Sequence, residues 1–338
     1  GYHARFVPGW DCHGLPIEQQ VEKQVGNKDK LGVAEFRKRC EAHALKFVDV
    51  MRSEFKRLGC VGIWDEPYLT LSRDYEAAIV RVLAGFARQG LLYRAKRPVH
   101  WCMTHRTALA EAEVEYADHT SPSIYVRMPL LPGQEAVERV FGKTPAALVI
   151  WTTTPWTIAA NLAVVANPQL DYVGLPVERG GQKEILIVAR GLAEKFLAAC
   201  GLQAAPETWV DVPIQSLKGV RYQHPFVAPK TERDFRLLFA AHATLEAGTG
   251  LVHTAPGHGA EDYVVGRDEG LEIYAPVNAA GRYTDEVPNW AGLTVFEANP
   301  KVVSFLAETG FLLNKPGESV RHSYPHCWRC KNPVIFRA

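Results

Sequence analysis

Two short motifs constrain this chain more than anything else in it. WCMTH sets Cys102 and His105 across a two-residue gap, and CWRC does the same for Cys327 and Cys330 more than two hundred residues later. Such a gap lets one tight turn present both donors to the same ion, and structural zinc takes four S or N ligands in a tetrahedron, Cys3His among the common sets. If both pairs serve one ion, the chain must return to where it left. The metal would then staple the two ends of an inserted block. The competing reading is that these are ordinary core or surface side chains; two matched pairs argue against it. His322 and His326 are nearby alternative ligands.

The chain between and around these pairs changes texture. Residues 34–58 carry Phe36, Ala44, Phe47, Val48, Met51 and Phe55 at helical spacing, with Lys and Arg between them. Residues 74–89 form a second helical pattern with Ile79, Val80, Leu83 and Phe86 on its apolar side and Gly90 as a stop. After Tyr116 the runs shorten and become β-branched: 123–128, 147–152, 172–177, 184–189 and 248–254 read as strands. Helices are expected at 191–200, from about 261, and at 300–309. The resulting expectation is an α/β protein of three parts. Residues 1–118 are a partial first domain with half of the metal motif, 119–320 an inserted domain, and 321–338 the return with the other half.

Length and composition limit the function classes. A chain of 338 residues can hold two compact domains, and 47% hydrophobic with 22% charged residues fits a globular protein. No apolar run reaches the roughly 18 residues that a membrane span needs, so no membrane partner is expected. The opening GYHARFVPGW lacks the basic-then-apolar pattern of a signal peptide, begins without Met and runs straight into dense motif, which reads as a piece of a longer protein. Seven cysteines, an odd number and mostly isolated, argue against a disulfide framework and for a reducing, cytoplasmic compartment. The net charge of +1 leaves any RNA contact to local patches.

Two further stretches hold chemistry. WTTTPWTIAANLAV puts Thr152, Thr153 and Thr154 in a row before Pro155, with Trp151 and Trp156 flanking and Asn161 downstream. The residue before proline avoids helix, so Thr154 should be extended or turning. Successive hydroxyls on a strand end can hold a water, a ribose hydroxyl or a carbonyl, although strands also simply favour Thr. GTGLVHTAPGHGAEDYVVG sets His253 and His258 around a Pro-Gly turn, with Asp262 near a helix start. Asp262 could cap that helix or hold a substrate ammonium group by a charge-assisted hydrogen bond. A neighbouring His could be a base or a wall that defines shape. There is no Gly-x-Ser-x-Gly elbow, Walker loop or dinucleotide fingerprint.

Taken together, these stretches resemble one family from end to end and in order. PGWDCHGLPIE is similar to the segment that follows the first ATP-binding motif of isoleucyl-tRNA synthetases, which are class I synthetases. WTTTPWT with Asn161, and HTAPGHGAEDY, resemble the two halves of that family's editing pocket. WCMTHRTALAEAEVEY and SYPHCWRCKNPVIFRA resemble the junctions where the editing domain enters and leaves. Valyl and leucyl relatives share the Thr-rich strand; the GWDCHGLPIE wording resembles the isoleucine branch.

The resemblance implies a Rossmann-like catalytic domain interrupted by an inserted, β-barrel-like α/β editing domain. It implies that Asp11 contacts the amino group of the amino acid in the synthetic site. In the editing pocket, Thr152, Thr153, Thr154 and Asn161 would surround the scissile ester, His253 would limit side-chain size, and Asp262 would hold the α-ammonium group. Trp151 and Trp156 would be wall or packing residues. The implied activity is isoleucine–tRNA ligation with hydrolysis of mischarged Val-tRNA(Ile), and the partners are tRNA(Ile), isoleucine and valine or their adenylates. A second pocket is needed because one methylene separates the two amino acids by only about 1–3 kcal/mol, a limit for which this enzyme family is the standard example.

The ATP signatures HIGH and KMSKS are absent from these residues. ATP and Mg are therefore expected only of a full-length parent, with a structural zinc here and a monomeric state. His105 stands where family members often carry Cys. Two rival readings are a stand-alone deacylase, which would not need Asp11, and a noncatalytic zinc-containing RNA-binding module, which would favour a basic face.

Overall fold

The computed structural model of the chain describes residues 2, 4–26, 30–227 and 233–338. Two units emerge, residues 1–95 and 96–338. In the first, β1 (Gly9–Trp10), α1 (Leu15–Val25), α2 (Val33–Arg57), β2 (Tyr68–Leu69) and α3 (Arg73–Arg88) follow in order. Strands β1 and β2 pair in parallel, Gly9 opposite Tyr68. Parallel pairing requires a crossover, which α1 and α2 supply. Ala44 and Val48 turn the inner face of α2 onto Cys12, with Trp10 and Ile17 against them. The apolar side expected of α3 is present but uncovered within this unit: Ile79, Val80, Leu83 and Phe86 are all exposed.

The second unit begins with β3 (Val99–Cys102), β4 (Thr107–Ala108), β5 (Val114–Pro122) and β6 (Ile124–Pro129). It continues through α4 (Glu135–Phe141), β7 (Ala146–Thr152), β8 (Ala163–Ala166), β9 (Tyr172–Arg179) and β10 (Gln182–Ala189). Then come α5 (Ala193–Cys200), β11 (Val210–Val212), β12 (Arg236–Phe239), β13 (Leu251–Thr254), α6 (Ala260–Asp268) and α7 (Val295–Glu308). Strands β14 (Ser319–Cys327) and β15 (Ile335–Arg337) end the chain.

Five strands form one sheet in the order β11-β9-β10-β7-β6, and three form another in the order β12-β8-β13. β7 explains why the first sheet is buried on both sides. Leu148 and Ile150 point into the large core shared with Val164, Leu237, Val302 and Leu306. Ala147 and Val149, one residue out of phase, point into a second core under Phe196 of α5. A two-residue period with both faces covered produces the continuous apolar run AALVI. The unit is mixed α/β. Among the described residues neither sheet closes on itself, so the barrel-like expectation gives way to two open sheets: β11 and β6 remain edges of the first and β12 and β13 of the second.

The entry and exit of this block lie side by side. β5 and β14 zip antiparallel along their full length, from Val114 opposite Cys327 to Pro122 opposite Ser319. Below them β15, β3 and β4 make a small sheet in that order. Helix α7 starts five residues before the expected Pro300. Thr294 accepts the Glu297 N–H while the Glu297 carboxylate takes the Thr294 N–H, a reciprocal cap that fixes the start. Pro300 then sits inside the helix, where its missing N–H leaves the Phe296 carbonyl without that helical donor.

Candidate active site and metal centre

The Thr-rich stretch leaves the end of β7 and turns at once. Thr154 has φ −123° and ψ 71°, outside the helical region, and Pro155 opens a short 3-10 turn over Pro155–Ala160. That turn folds the hydroxyls inward. Thr152 Oγ1 accepts the Thr154 N–H at 3.1 Å, and the Thr152 and Thr154 hydroxyls lie 3.1 Å apart. The Thr157 hydroxyl donates to the Thr154 carbonyl at 2.8 Å. Thr153 and Thr154 line a cavity of about 260 Å³ with Trp156, His119, Ser121 and Asn299.

β13 brings the second motif alongside. It pairs antiparallel with β8, His253 opposite Val164, which sets the His253 ring against Asn161 just ahead of β8. Asn161 Nδ2 donates to the Ala163 carbonyl at 2.8 Å, and a carbonyl can only accept, so this contact orients the amide. The second Nδ2 hydrogen then points at His253 Nδ1, 3.0 Å away. His253 Nδ1 therefore accepts, and Nε2 carries the proton and donates to the Thr157 hydroxyl at 2.8 Å. Asn161 Oδ1 accepts the Tyr222 hydroxyl at 2.5 Å. Burial pushes the His253 imidazole down to about 3, helped by His224 and His258, so the ring is neutral at physiological pH. Both ring nitrogens are engaged and the ring carries no charge, so no lone pair is left free to take a proton.

Asp262 occupies the first turn of α6. Its Oδ2 accepts the Ala255 N–H at 2.9 Å, closing the Pro-Gly loop back onto the residue after β13. Burial pushes its carboxyl up to about 6; the Ala255 hydrogen bond pulls the other way and Glu261 adds a small push. Asp262 does not cap α6: its bonded oxygen goes to Ala255, ahead of the helix, and the other oxygen takes no protein hydrogen bond among the described residues. His258 donates from Nδ1 to the Phe336 carbonyl at 2.8 Å, and its ring meets Trp156 edge-on at 4.8 Å.

The two tryptophans differ. Trp156 is buried, its N–H backbone held by Asn299 Oδ1 at 3.1 Å, and it forms part of the cavity wall. Trp151 turns the other way: its indole donates to Ser123 Oγ at 3.0 Å and packs on the core beneath α5. Asp11 lies in the first unit. It is exposed, accepts from the Thr70 hydroxyl at 3.4 Å, and borders a cavity of about 400 Å³ with Trp10, Ile17, His43 and Phe47.

Sequence reading missed Thr157, Tyr222 and His224. Thr157 is three residues from Thr154, one turn of 3-10 geometry, which was the available signal. His224 donates from Nε2 to the Ile158 carbonyl at 2.9 Å and underpins the turn; nothing local in the sequence marks it or Tyr222.

The four predicted ligands converge. Cys102, His105, Cys327 and Cys330 have donor atoms all within 4.8 Å of one another. Cys102 Sγ is 3.5 Å from His105 Nδ1 and 3.7 Å from Cys330 Sγ, and Cys327 Sγ is 3.8 Å from His105 Nδ1. Bonds of about 2.3 Å to sulfur and 2.0 Å to nitrogen in a tetrahedron place ligands roughly 3.5–3.8 Å apart, so the donor set fits such an ion. The alternatives lie elsewhere: His322 bonds Ser121 Oγ at 2.9 Å, and His326 bonds the Tyr324 carbonyl at 2.8 Å. The cluster closes the base of the β5–β14 ribbon, where Cys327 is the last residue. No helix among the described residues is long and apolar enough to cross a membrane.

Comparison with known proteins follows the motifs. The model of the family "tRNA synthetases class I (I, L, M and V)" matches residues 1–311. An isoleucine–tRNA ligase of Geobacter sulfurreducens is 54% identical over 340 residues, covering all of this chain and 35% of that protein. One of Persephonella marina is 49% identical over 344 residues, covering all of this chain and 34% of that protein. The chain thus spans about a third of the length of the curated relatives it matches. Among solved structures, GlLeuRS-CP1 is similar with a TM-score of 0.46 and 14% identity over 58% of this chain and 99% of that one. With a family match over residues 1–311 and relatives that cover its whole length at about half identity, the chain belongs to the class I tRNA synthetases.

Proposed function

We propose that this chain carries the proofreading site of an isoleucine–tRNA ligase and hydrolyses mischarged Val-tRNA(Ile). The observation that carries the reading is the connected network of Thr152, Thr154, Thr157, Asn161 and His253, together with an Asp262 tied to Ala255 whose second oxygen takes no protein hydrogen bond among the described residues. The Asp262 carboxylate would hold the α-ammonium group of the aminoacyl ester, a charge-assisted bond that rejects esters lacking a free amine. The Thr hydroxyls and turn N–H groups would hold water and meet the negative charge that develops on the carbonyl oxygen. Water oxygen adds to the ester carbon, the bond to the ribose oxygen breaks, and that oxygen leaves with the proton. His253, neutral and fixed, supplies a wall against a larger side chain.

In this reading residues 119–320 are the editing domain, and residues 1–118 with 321–338 belong to the Rossmann-like domain it interrupts. Asp11 would serve the synthetic site of the whole ligase, where ATP and Mg would drive isoleucine onto tRNA(Ile) in the cytoplasm. Zinc would be held by Cys102, His105, Cys327 and Cys330. Four protein ligands leave no open position for substrate, so its role would be structural.

The test is deacylation of Val-tRNA(Ile) and Ile-tRNA(Ile) by the folded chain. Clearance of the valyl ester well ahead of the isoleucyl ester is expected; hydrolysis of neither overturns the reading.

A further inference from the structure

Tyr222 lies outside every motif, yet it ends the hydrogen-bond chain that holds His253. Its phenol is buried and 2% exposed, and burial raises its pKa well above the ordinary value, so it stays protonated and donates. The acceptor is Asn161 Oδ1 at 2.5 Å. From there every proton is accounted for. Asn161 gives one hydrogen to the Ala163 carbonyl and one to His253 Nδ1, His253 Nε2–H gives to Thr157, and Thr157 gives to the Thr154 carbonyl.

The opposite arrangement can be written down and counted. With the proton on Nδ1, His253 would need an acceptor at Asn161, so the amide must flip. The flipped amide would aim its oxygen at the Ala163 carbonyl, and its hydrogens would make the Tyr222 oxygen an acceptor, so the phenol proton would lose the Asn161 oxygen it now bonds. Both are mismatches in a buried site, where unsatisfied groups are costly. Ala163 and Tyr222 thus grip the two ends of one amide.

We infer that Tyr222 is a positioning residue: through Asn161 it locks His253 in the Nε2–H tautomer and in one orientation, and so sharpens the wall that limits side-chain size. The selectivity part of this inference rests on the proofreading reading above; the tautomer part does not.

The experiment uses 15N-histidine-labelled chain and long-range 1H–15N spectra, which report which ring nitrogen carries the proton. Wild type is expected to show only Nε2–H at His253. Tyr222→Phe is expected to add an Nδ1–H signal at His253. It should also lower the ratio of kcat/KM for Val-tRNA(Ile) over Ile-tRNA(Ile) about tenfold, the low end of what one-methylene discrimination supplies. Tyr172→Phe is the control. Tyr172 is equally buried; its hydroxyl donates to the Gly250 carbonyl at 2.7 Å and accepts the Asn167 N–H at 2.9 Å, so its removal is at least as disruptive without touching Asn161 or His253. An unchanged His253 spectrum in Tyr222→Phe overturns the inference, as does an equal change in Tyr172→Phe. Should Tyr222→Phe fail to fold, an Nδ1–H ring in wild type overturns it alone. If neither ester is cleared, the spectra still decide the tautomer and only the proofreading reading falls.

Discussion

Asp262 Oδ2 and the Ala255 N–H meet at 2.9 Å, so the carboxylate proposed to hold the substrate also ties α6 to the end of β13. The two jobs separate by substitution. Asp262→Asn keeps an oxygen for Ala255 but loses the charge. Asp262→Ala loses both. Clearance of Val-tRNA(Ile) should drop about ten- to a hundredfold in each, since a hydrogen bond to a charged group is worth about 1.5–3 kcal/mol. Only the alanine variant should also lose stability, by about 1–3 kcal/mol in urea titration, as for a part-buried N–H left without its acceptor. Full clearance by Asp262→Asn would remove the ammonium role.

The metal cluster predicts one zinc per folded chain by elemental analysis. Cys327→Ser should remove it and lower the unfolding midpoint, because the cluster pins the base of the β5–β14 ribbon. His105→Ala should weaken retention against a chelator, while His326→Ala should leave it unchanged, since His326 is bonded to Tyr324. Loss of zinc in His326→Ala but not in His105→Ala would reassign the fourth ligand.

Much of this was legible in the sequence wherever a local rule governed. β7 announced itself because both its faces are buried and its apolar run is unbroken. The Cys/His pairs were legible from spacing alone. Helix α7 was misjudged at its start because Pro300 looked like a first-turn proline, although Thr294 and Glu297 already spelled a reciprocal cap. Residues 79–86 showed an apolar stripe, but which partner covers such a stripe is a tertiary matter. The His253 tautomer could not be read at all: it depends on Tyr222, sixty-one residues from Asn161 along the chain. Periodicity and spacing encode local geometry, whereas proton direction is decided by contacts between distant segments.

Acid sensitivity follows from the buried rings. His224, His253 and His258 are pushed down to about 4, 3 and 4 by burial. Unfolded, each protonates near 6.5. Between roughly pH 6.5 and 4 the unfolded chain therefore holds three more protons at these sites, and stability falls as pH falls. Asp262 opposes this, because its folded value of about 6 lies above the unfolded 3.8, so the folded chain holds one more proton in that window. Three against one leaves a net loss of up to ~3 kcal/mol per pH unit on acidification below 6. Urea midpoints at pH 7, 6 and 5 should decline accordingly. Asp262→Asn, which deletes the opposing group, should decline more steeply; a midpoint that rises on acidification would contradict the assignment of neutral rings.

Thr157 offers the sharpest separation of packing from hydrogen bonding. Its hydroxyl accepts from His253 Nε2 at 2.8 Å and donates to the Thr154 carbonyl at 2.8 Å, inside the turn that presents the Thr-rich stretch. Thr157→Val preserves shape but strands a buried N–H, which costs about 1–3 kcal/mol. Thr157→Ser keeps the hydroxyl and removes a methyl. The valine variant should therefore lose stability and valyl-ester clearance together, and the serine variant should retain most of both. If the serine variant is as damaged as the valine one, the methyl packing of Thr157 matters more than its place in the chain of hydrogen bonds. His253 would then be held by Asn161 and the fit of its surroundings.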